Sequence, residues 1–307
     1  MTTPPRSGAT IQGATILGDW GTSRLRLFHV VDGVVKARAT GAGIGAFDRN
    51  PAETLTETLA ELGDIGPTAR ITLCGMVGSR NGLIEVPYAE CPIDLAGWRA
   101  AAVPVAMELP VTIAPGLACI RPDGAPDVMR GEETQIFGAL ALLPELATGR
   151  HLLGLPGTHG KWVVVVDGSV LHFRTYLTGE LYALLQEHST LTRAGTGTEN
   201  AEVGFDAGLA RALDGSDLLG ALFEARSAQL RSGASQGWAL GFLSGLLIGH
   251  EVREGAASAG SVTLIGDPSL TGRYARALDA CGVASTALDG DLCSIAGLGL
   301  LHSRIPV

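Results

Sequence analysis

One strand–turn–strand pattern occurs twice in this chain, and it limits the possible folds more than any other feature. The two segments are LGDWGTSRLRLFHVVDGVV (17–35) and LGLPGTHGKWVVVVDGSV (153–170). Each contains Leu-Gly, two further residues, Gly-Thr, an apolar strand, Asp-Gly and a second strand, and Gly21 and Gly157 correspond at positions 136 apart. A supersecondary unit repeated at this distance predicts two similar lobes that face a cleft, one in each half of the chain.

The segments around the two copies predict an α/β organisation. Asp-Gly between apolar runs indicates a hairpin in each copy, and a helix is expected from Asn50-Pro51, because its leucines recur with helical spacing. A strand, ITLCGMVGS, follows this helix, and the second copy leads into a predicted helix, TGELYALLQEH. The most apolar segment, WALGFLSGLLIGH (238–250), is too short to cross a bilayer and predicts a buried helix.

Composition excludes several classes of function. The net charge of −9 and the pI of about 5.2 argue against a nucleic-acid surface, and only Lys36 and Lys161 supply lysine. The five cysteines form no CxxC pair, which argues against zinc or a disulfide framework and fits a reducing cytosol. The N-terminus, MTTPPRSGATIQ, has no apolar signal region and is expected to be a flexible tail. We therefore expect a cytoplasmic protein without nucleic-acid or membrane partners. The sequence leaves its oligomeric state open, and a homodimer is one option.

A lone carboxylate, Asp19, ends the first strand of the first copy, whereas Leu155 takes its place in the second. Both turns offer backbone N–H groups and hydroxyls that can bind phosphate oxygens, and glycine lets the backbone approach closely. Mg²⁺ prefers few carboxylates plus water and phosphate oxygens, so Asp19 is a candidate metal ligand on a nucleotide. The alternative is an ordinary turn-capping Asp. The candidate phosphate-binding residues are Gly21, Thr22, Ser23, Gly157, Thr158, His159 and Lys161.

Glu132 and Glu133 begin a predicted helix within DVMRGEETQIFGALALL (127–143), just before the second copy. Carboxylates at a helix N-terminus are favoured by the helix dipole, so capping explains them without function. One of them is alternatively a general base that takes a proton from a hydroxyl attacking phosphorus. Since neighbouring helical residues point about 100° apart, we expect only one to face the cleft.

Four residues are candidates for binding the carboxylate of a small acid, and four others for binding adenosine. Arginine binds carboxylates in a bidentate manner, so GMVGSRNG (75–82) and HFRTY suggest an anion site, although a solvated arginine on a surface turn is the alternative. A glycine at a strand end leaves room for a flat ring, which favours adenine near IGDPSLTGRY. The stretch GAGIGA (41–46) matches a dinucleotide motif, but no helix follows it directly, which disfavours NAD binding. The carboxylate candidates are Ser79, Arg80, Arg130 and Arg174, and the adenosine candidates are Gly266, Asp267, Leu270 and Tyr274.

With these motifs in place, the sequence resembles the actin/hexokinase/Hsp70-like ATPase superfamily and, more narrowly, the 2-dehydro-3-deoxygalactonokinase family. The resemblance covers about residues 16–303 and is carried by the ordered set DWGTSRLRLF, GMVGSRNGLIEVPYAECP, DVMRGEETQIFGAL, LPGTHGKWV, FRTYLTGELYALL, LSGLLIGHE and IGDPSLTGRYARAL. It implies duplicated ribonuclease H-like domains, each a mixed five-stranded sheet with flanking helices. We expect domains at 1–128 and 129–307, with a last helix (291–303) that packs back on the first domain.

The resemblance also implies an ATP- and Mg²⁺-dependent kinase that phosphorylates 2-dehydro-3-deoxy-D-galactonate at its 6-hydroxyl. Related sugar kinases start a helix with Gly-Asp-Gln-Gln, whose Asp is the base, and GEET occupies that place here. Glu132 is the matching residue, but the longer side chain leaves open whether Glu132 or Glu133 acts. The alternatives are a kinase of another sugar or keto sugar acid, such as 2-keto-3-deoxygluconate, and a non-catalytic ATP-switched module.

Overall fold

The computed structural model describes residues 14–45, 50–66, 69–107 and 109–302, so the predicted N-terminal tail lies outside the described residues. These residues form mixed sheets flanked by helices. The strands are β1 (Ala14–Trp20), β2 (Arg24–Val31), β3 (Val34–Ala42), β4 (Arg70–Gly75), β5 (Ala89–Glu90), β6 (Val103–Val105), β7 (Val111–Ile113), β8 (Leu117–Ile120), β9 (Pro126–Met129), β10 (Arg150–Leu155), β11 (Gly160–Val166), β12 (Ser169–Tyr176), β13 (Ser261–Gly266) and β14 (Ala284–Asp289).

The helices cover the sheets and include one long apolar element. They are α1 (Pro51–Ala60), α2 (Leu95–Ala100), α3 (Glu132–Leu142), α4 (Thr178–His188), α5 (Ala201–Leu213), α6 (Leu218–Leu222), α7 (Glu224–Ser232), α8 (Gln236–Gly255), α9 (Pro268–Ala280) and α10 (Gly290–His302). Helix α8 contains the predicted buried segment, and most of its residues are buried. Over the described part of the chain, no helix is both long and apolar enough to span a membrane.

The strand orders confirm the predicted duplication. The first sheet has the order β3-β2-β1-β4-β7-β6 and another sheet has the order β12-β11-β10-β13-β14, so each places three consecutive strands beside a fourth. In the first sheet these three strands form an antiparallel meander. The pairings β1–β4 and β10–β13 are parallel. The fold is therefore the predicted duplicated actin-like ATPase fold. The first sheet has six strands instead of five, because β6 adds antiparallel to β7.

By their contacts, the described residues divide into two compact units. The first comprises residues up to Arg150 with Val164–Phe173 and the residues from Leu288 onward, and the second comprises His151–Val163 with Arg174–Ala287. Helices α3 and α10 thus group with the first unit, while the domain boundary at residue 128 stays a prediction. Each unit has its own apolar core, with Ile16, Trp20 and Leu73 in the first and Phe205, Leu264 and Tyr274 in the second.

Close helix packing in the first unit depends on two glycines. A Cβ on Gly138 of α3 would lie 1.9 Å from the carbonyl oxygen of Cys293, and one on Gly297 of α10 would lie 2.0 Å from the carbonyl oxygen of Thr134. No larger residue fits at either position without displacing a helix. This packing brings α10 against the helix that begins with the predicted base.

Candidate active site

The carboxyl ends of β1 and β4 form the centre of the site in the first unit. Because these strands are parallel neighbours, Asp19 lies beside Cys74 and Trp20 beside Gly75. A Cβ on Gly75 would lie 3.3 Å from Oδ1 of Asp19, and one on Gly131 would lie 3.4 Å from the Cα of Gly75. The strand end that carries Asp19 therefore meets the start of α3, as expected for strands that end at one edge of a sheet.

Asp19 is neutralised by a cation on the neighbouring strand. Arg26 is the direct cross-strand partner of Asp19 in the antiparallel β1–β2 pair, and its Nη2 donates to Asp19 Oδ2. Arg26 Nη1 donates to Oδ1 of Asp291 on α10 at 2.5 Å. Burial raises the pKa of Asp19, and the attraction of Arg26 opposes this effect. Sequence reasoning missed Arg26 and Asp291, although alternation in β2 could have indicated Arg26.

The two glutamates at the start of α3 have different environments. Glu133 is completely buried, and its Oε2 accepts a 2.6 Å hydrogen bond from the backbone N–H of Gly131. Burial, reinforced by repulsion from Glu132, raises the pKa of Glu133 to about 8. Glu132 is only partly buried and lies close enough to Asp19 to raise the pKa of that carboxyl. Gly131 has a φ of 113°, which favours glycine at this junction.

The first glycine turn joins β1 and β2, and its two hydroxyl residues, Thr22 and Ser23, are exposed. The backbone N–H of Gly21 donates to the carbonyl of Arg24 at 2.9 Å, and the N–H of Gly45 donates to the carbonyl of Thr22 at 2.8 Å. A Cβ on Gly43 would lie 2.1 Å from that same carbonyl oxygen. The described part of the GAGIGA stretch therefore packs against this turn, which explains its glycines without a dinucleotide.

The second glycine turn precedes β11 and is supported by α4. The backbone N–H of Glu180 donates to the carbonyl of Thr158 at 2.9 Å, and the Glu180 carboxylate pairs with the His159 ring. A Cβ on Gly157 would meet no atom within 4 Å, so the space beside this glycine is open. Lys161 is buried, and its Nζ donates to the carbonyl of His159 at 2.8 Å. The buried Lys161 side chain therefore stabilises the second turn through its hydrogen bond to His159.

A buried carboxylate on α8, Glu251, joins the elements around the second turn. Its Oε1 accepts a 2.8 Å hydrogen bond from Trp162 Nε1, and its Oε2 accepts a 2.6 Å hydrogen bond from the Tyr274 hydroxyl. The Thr178 side chain also hydrogen-bonds to it, and a Cβ on Gly160 would lie 2.6 Å from its Oε1. Sequence reasoning missed this residue, although a single acid after the apolar run GLLIGH was a usable signal.

The predicted adenosine residues are only partly brought together. An apolar cavity of about 110 Å³ in the second unit is lined by two of them, Leu270 and Tyr274, and by Gly157 of the second turn. Asp267 instead caps α9, since its Oδ1 accepts from the backbone N–H groups of Ser269 and Leu270 at 2.9 and 3.3 Å. The remaining lining residues of the cavity are Thr178, Gly179, Tyr182, Ser244, Leu247, Ile248 and Arg273.

The four predicted carboxylate-binding residues fall into two groups. Arg80 is largely exposed and forms a 3.0 Å ion pair with Glu85, and Arg174, in the second unit, forms one of 3.1 Å with Glu254. Ser79 and Arg130 instead carry buried polar atoms without hydrogen-bond partners among the described residues. The structure therefore separates two arginines that are already paired from a serine and an arginine that are not fully satisfied.

The protein groups at the end of β1 can contribute to only one kind of metal site. Within the described ranges, no three His, Cys, Asp or Glu residues form a group that could hold a metal ion. The side chain of Asp19 is 16% exposed, so one carboxylate is accessible beside the first turn. This fits a Mg²⁺ ion whose other ligands are phosphate oxygens and waters, and it does not fit a metal held by protein ligands alone.

Comparisons with known proteins agree on one family. A family model described as 2-keto-3-deoxy-galactonokinase matches residues 19–301. The 2-dehydro-3-deoxygalactonokinase of Escherichia coli (strain K12) is 36% identical over 285 residues, which cover 91% of this chain and 94% of that protein. A crystal structure from Sinorhizobium meliloti, assigned to 2-dehydro-3-deoxygalactonokinase, superposes with a TM-score of 0.84 at 34% identity and covers 94% of this chain and 95% of the other.

Proposed function

Because this chain belongs to the 2-keto-3-deoxy-galactonokinase family, we propose that it transfers the γ-phosphoryl group of ATP to the 6-hydroxyl of 2-dehydro-3-deoxy-D-galactonate. The product is 2-dehydro-3-deoxy-6-phosphogalactonate. The observation that carries this proposal is the family match over residues 19–301, which includes Asp19, both glycine turns and the start of α3. We also propose a cytoplasmic location, in which the five free cysteines stay reduced.

Glu132 is the proposed general base. It is partly exposed at the start of α3 and lies near Asp19, whereas Glu133 is buried and hydrogen-bonded to its own helix start. A carboxylate at this position accepts the proton of the attacking hydroxyl while the phosphoryl group is transferred in line. Glu133 then serves to hold the Gly131–Glu132 junction in place.

Asp19 is the proposed contact to Mg²⁺, through water or directly, as the accessible carboxylate at the strand end. The bound ion would supply positive charge that neutralises the transferring phosphoryl group. Arg26 keeps the Asp19 carboxylate charged and oriented, because its guanidinium is fixed from the other side by Asp291.

Both glycine turns are proposed to bind ATP phosphates through backbone N–H groups and hydroxyls. The exposed hydroxyls are those of Thr22, Ser23 and Thr158. Gly157 also lines the apolar cavity with Leu270 and Tyr274, which supports binding of the nucleoside portion next to the second turn. Positioning and charge neutralisation, more than covalent chemistry, provide the rate in such a transfer.

A coupled assay for ADP release tests the proposal. ADP release should require both ATP and 2-dehydro-3-deoxy-D-galactonate, and the gluconate epimer should react more slowly. Glu132→Gln should lower kcat on the order of 10²- to 10⁴-fold, and the neighbouring Glu133→Gln is the matched control. If only Glu133→Gln shows this loss, the base is Glu133. If ADP release is independent of any sugar acid, the kinase proposal is wrong.

A further inference from the structure

Two nitrogens of one arginine are buried without partners near the proposed active site. Nε and Nη1 of Arg130 lose nearly all contact with solvent, yet neither forms a hydrogen bond within the described residues. Together they carry three N–H hydrogens of a permanently charged group. Leaving such donors unsatisfied is costly, so native proteins rarely do so without a bound partner.

The guanidinium of Arg130 is held in one orientation by the segment that follows β4. Its Nη2 donates to the carbonyl of Val86 at 2.7 Å, and its Cζ lies 4.3 Å from the centre of the Tyr88 ring. A Cβ on Gly78 would lie 2.8 Å from Nη1, so a larger residue there would push the guanidinium out of this position. One nitrogen is therefore used for fixation, while the two others remain to donate to a ligand.

A second unsatisfied group is adjacent in the chain. The hydroxyl oxygen of Ser79 is also buried and without a partner among the described residues, and Ser79 directly follows the glycine that contacts Arg130. A hydroxyl donor on the residue after Gly78 and a fixed guanidinium beside Gly78 together suit an anion with several oxygens. A carboxylate fits this site, because arginine and hydroxyl donors both bind its oxygens.

This donor site adjoins the proposed catalytic centre along the chain and belongs to the same unit. Arg130 directly precedes Gly131, which lies against Gly75 at the end of β4, and Glu132 follows. A ligand held by Arg130 would therefore lie within a few residues of the proposed base. Neither of the other two candidate arginines meets these conditions, since Arg80 and Arg174 are already paired with glutamates.

We propose that Arg130 and Ser79 bind the carboxylate of the sugar-acid substrate and select acids over neutral sugars. This inference rests on the proposed kinase function and adds to it the residues that recognise the acid end. Val86 and Tyr88 act as positioning residues, because they hold the guanidinium in place for the carboxylate.

Steady-state kinetics of matched variants test the assignment. Arg130→Gln should raise the KM for the sugar acid on the order of 10²-fold, since a charge-assisted contact is lost, and should leave the KM for ATP unchanged. Ser79→Ala should raise the KM for the sugar acid by about 10-fold, as expected for one hydrogen bond to a charged group. The control is Arg80→Gln, which removes the same charge from a largely exposed side chain and should change neither KM.

The methyl ester of the sugar acid separates carboxylate recognition from general damage to the site. Wild type and Arg130→Gln should phosphorylate the ester with similar kcat/KM values, because the ester has no charge for Arg130 to bind. Equal losses on the acid and the ester would overturn the proposal, as would a loss in Arg80→Gln instead. If Arg130→Gln does not fold, the same comparison with Ser79→Ala decides the question.

Calorimetry tests the binding of the carboxylate independently of the proposed phosphate transfer. The sugar acid alone should bind to the wild-type protein, and Arg130→Gln should weaken that binding on the order of 10²-fold. A wild-type protein that binds the acid through Arg130 but transfers no phosphate contradicts the kinase proposal only. A wild-type kinase whose acid binding is unaffected by Arg130→Gln contradicts this inference only.

Discussion

Arg26 and Asp19 face each other across the antiparallel β1–β2 pair, and the guanidinium donates to the carboxylate at the end of the central strand. The other side of the same guanidinium binds Asp291 of α10. One cation thus connects an acid from the first strand with an acid from the last helix, and the two acids provide a matched pair for mutation.

Asp19→Ala should lower kcat by about 10²-fold or more, because it removes the carboxylate proposed to contact the metal. Asp291→Ala loosens Arg26 but leaves the Asp19 carboxylate in place, so it should lower kcat much less than Asp19→Ala does. Turnover measured at saturating ATP and Mg²⁺, with circular dichroism as a check on folding, distinguishes the two. Equal losses in both variants would indicate that the acids serve only to hold Arg26.

Glu133 should make folding stability depend on pH. Its pKa is raised in the folded protein to about 8, so the folded state binds more protons than the unfolded state between about pH 4.5 and pH 8. The free energy of unfolding should therefore fall as pH rises through this window, by up to about 1.4 kcal/mol for each pH unit.

Urea unfolding at several pH values tests this dependence. Glu133→Gln cannot ionise, but it keeps an oxygen that accepts from the Gly131 N–H, so its pH slope should be smaller than that of the wild type. Wild type and variant should converge in slope below about pH 4.5, where both carry a neutral side chain. Identical slopes across the whole range would contradict the raised pKa.

Gly157→Ala should weaken ATP binding without lowering the stability of the fold. No atom lies within 4 Å of a Cβ at this position, so the free energy of unfolding should change by less than about 0.5 kcal/mol. The KM for ATP should rise, because the added methyl group occupies space proposed for a phosphate. An unchanged KM would argue against phosphate binding at this turn.

Gly179→Ala is the structural counterpart of that variant. A Cβ on Gly179 would lie 2.3 Å from the carbonyl oxygen of Gly157, so α4 and the turn cannot both keep their positions. We expect a loss of stability on the order of 1 to 3 kcal/mol together with a higher KM for ATP. Chemical denaturation measures the first effect, and a stability equal to that of Gly157→Ala would contradict the packing argument.

Glu251→Ala should destabilise the second unit strongly. It leaves Trp162 Nε1 and the Tyr274 hydroxyl buried without their acceptor, at a cost on the order of 3 kcal/mol. Glu251→Gln keeps one acceptor oxygen and should lose less. Thermal and urea unfolding of both variants measure the difference, and a Gln variant as unstable as the Ala variant would show that the charge, not the acceptor, is essential.

Several features of the site were predictable because they depend on local sequence. Asp19 at a strand end, the two glycine turns and the helix that begins at Glu132 all lie where the strand and turn signals indicate. Asp267 shows the limit of such signals, since the same residue type suits a ligand contact and a helix cap, and the structure shows the cap.

The roles of two pairs of like residues could not be distinguished from the sequence. Glu132 and Glu133 differ by one position, yet only Glu133 is enclosed by the packing around α3. Arg80 and Arg130 looked equivalent as anion binders, but one pairs with Glu85 in solvent and the other is enclosed by Val86 and Tyr88. Which side chain is buried depends on segments far away in the chain.

The sequence alone determined the doubled strand–turn–strand unit, because apolar alternation and turn glycines act over a few residues. It also determined the family, since the motifs occur in order along nearly the whole chain. Only the tertiary structure decided which partners the charged groups have: Arg26 pairs with Asp291, and Glu251 accepts hydrogen bonds from Trp162 and Tyr274. Burial sets the strength of those interactions, and burial arises only when distant elements pack against one another.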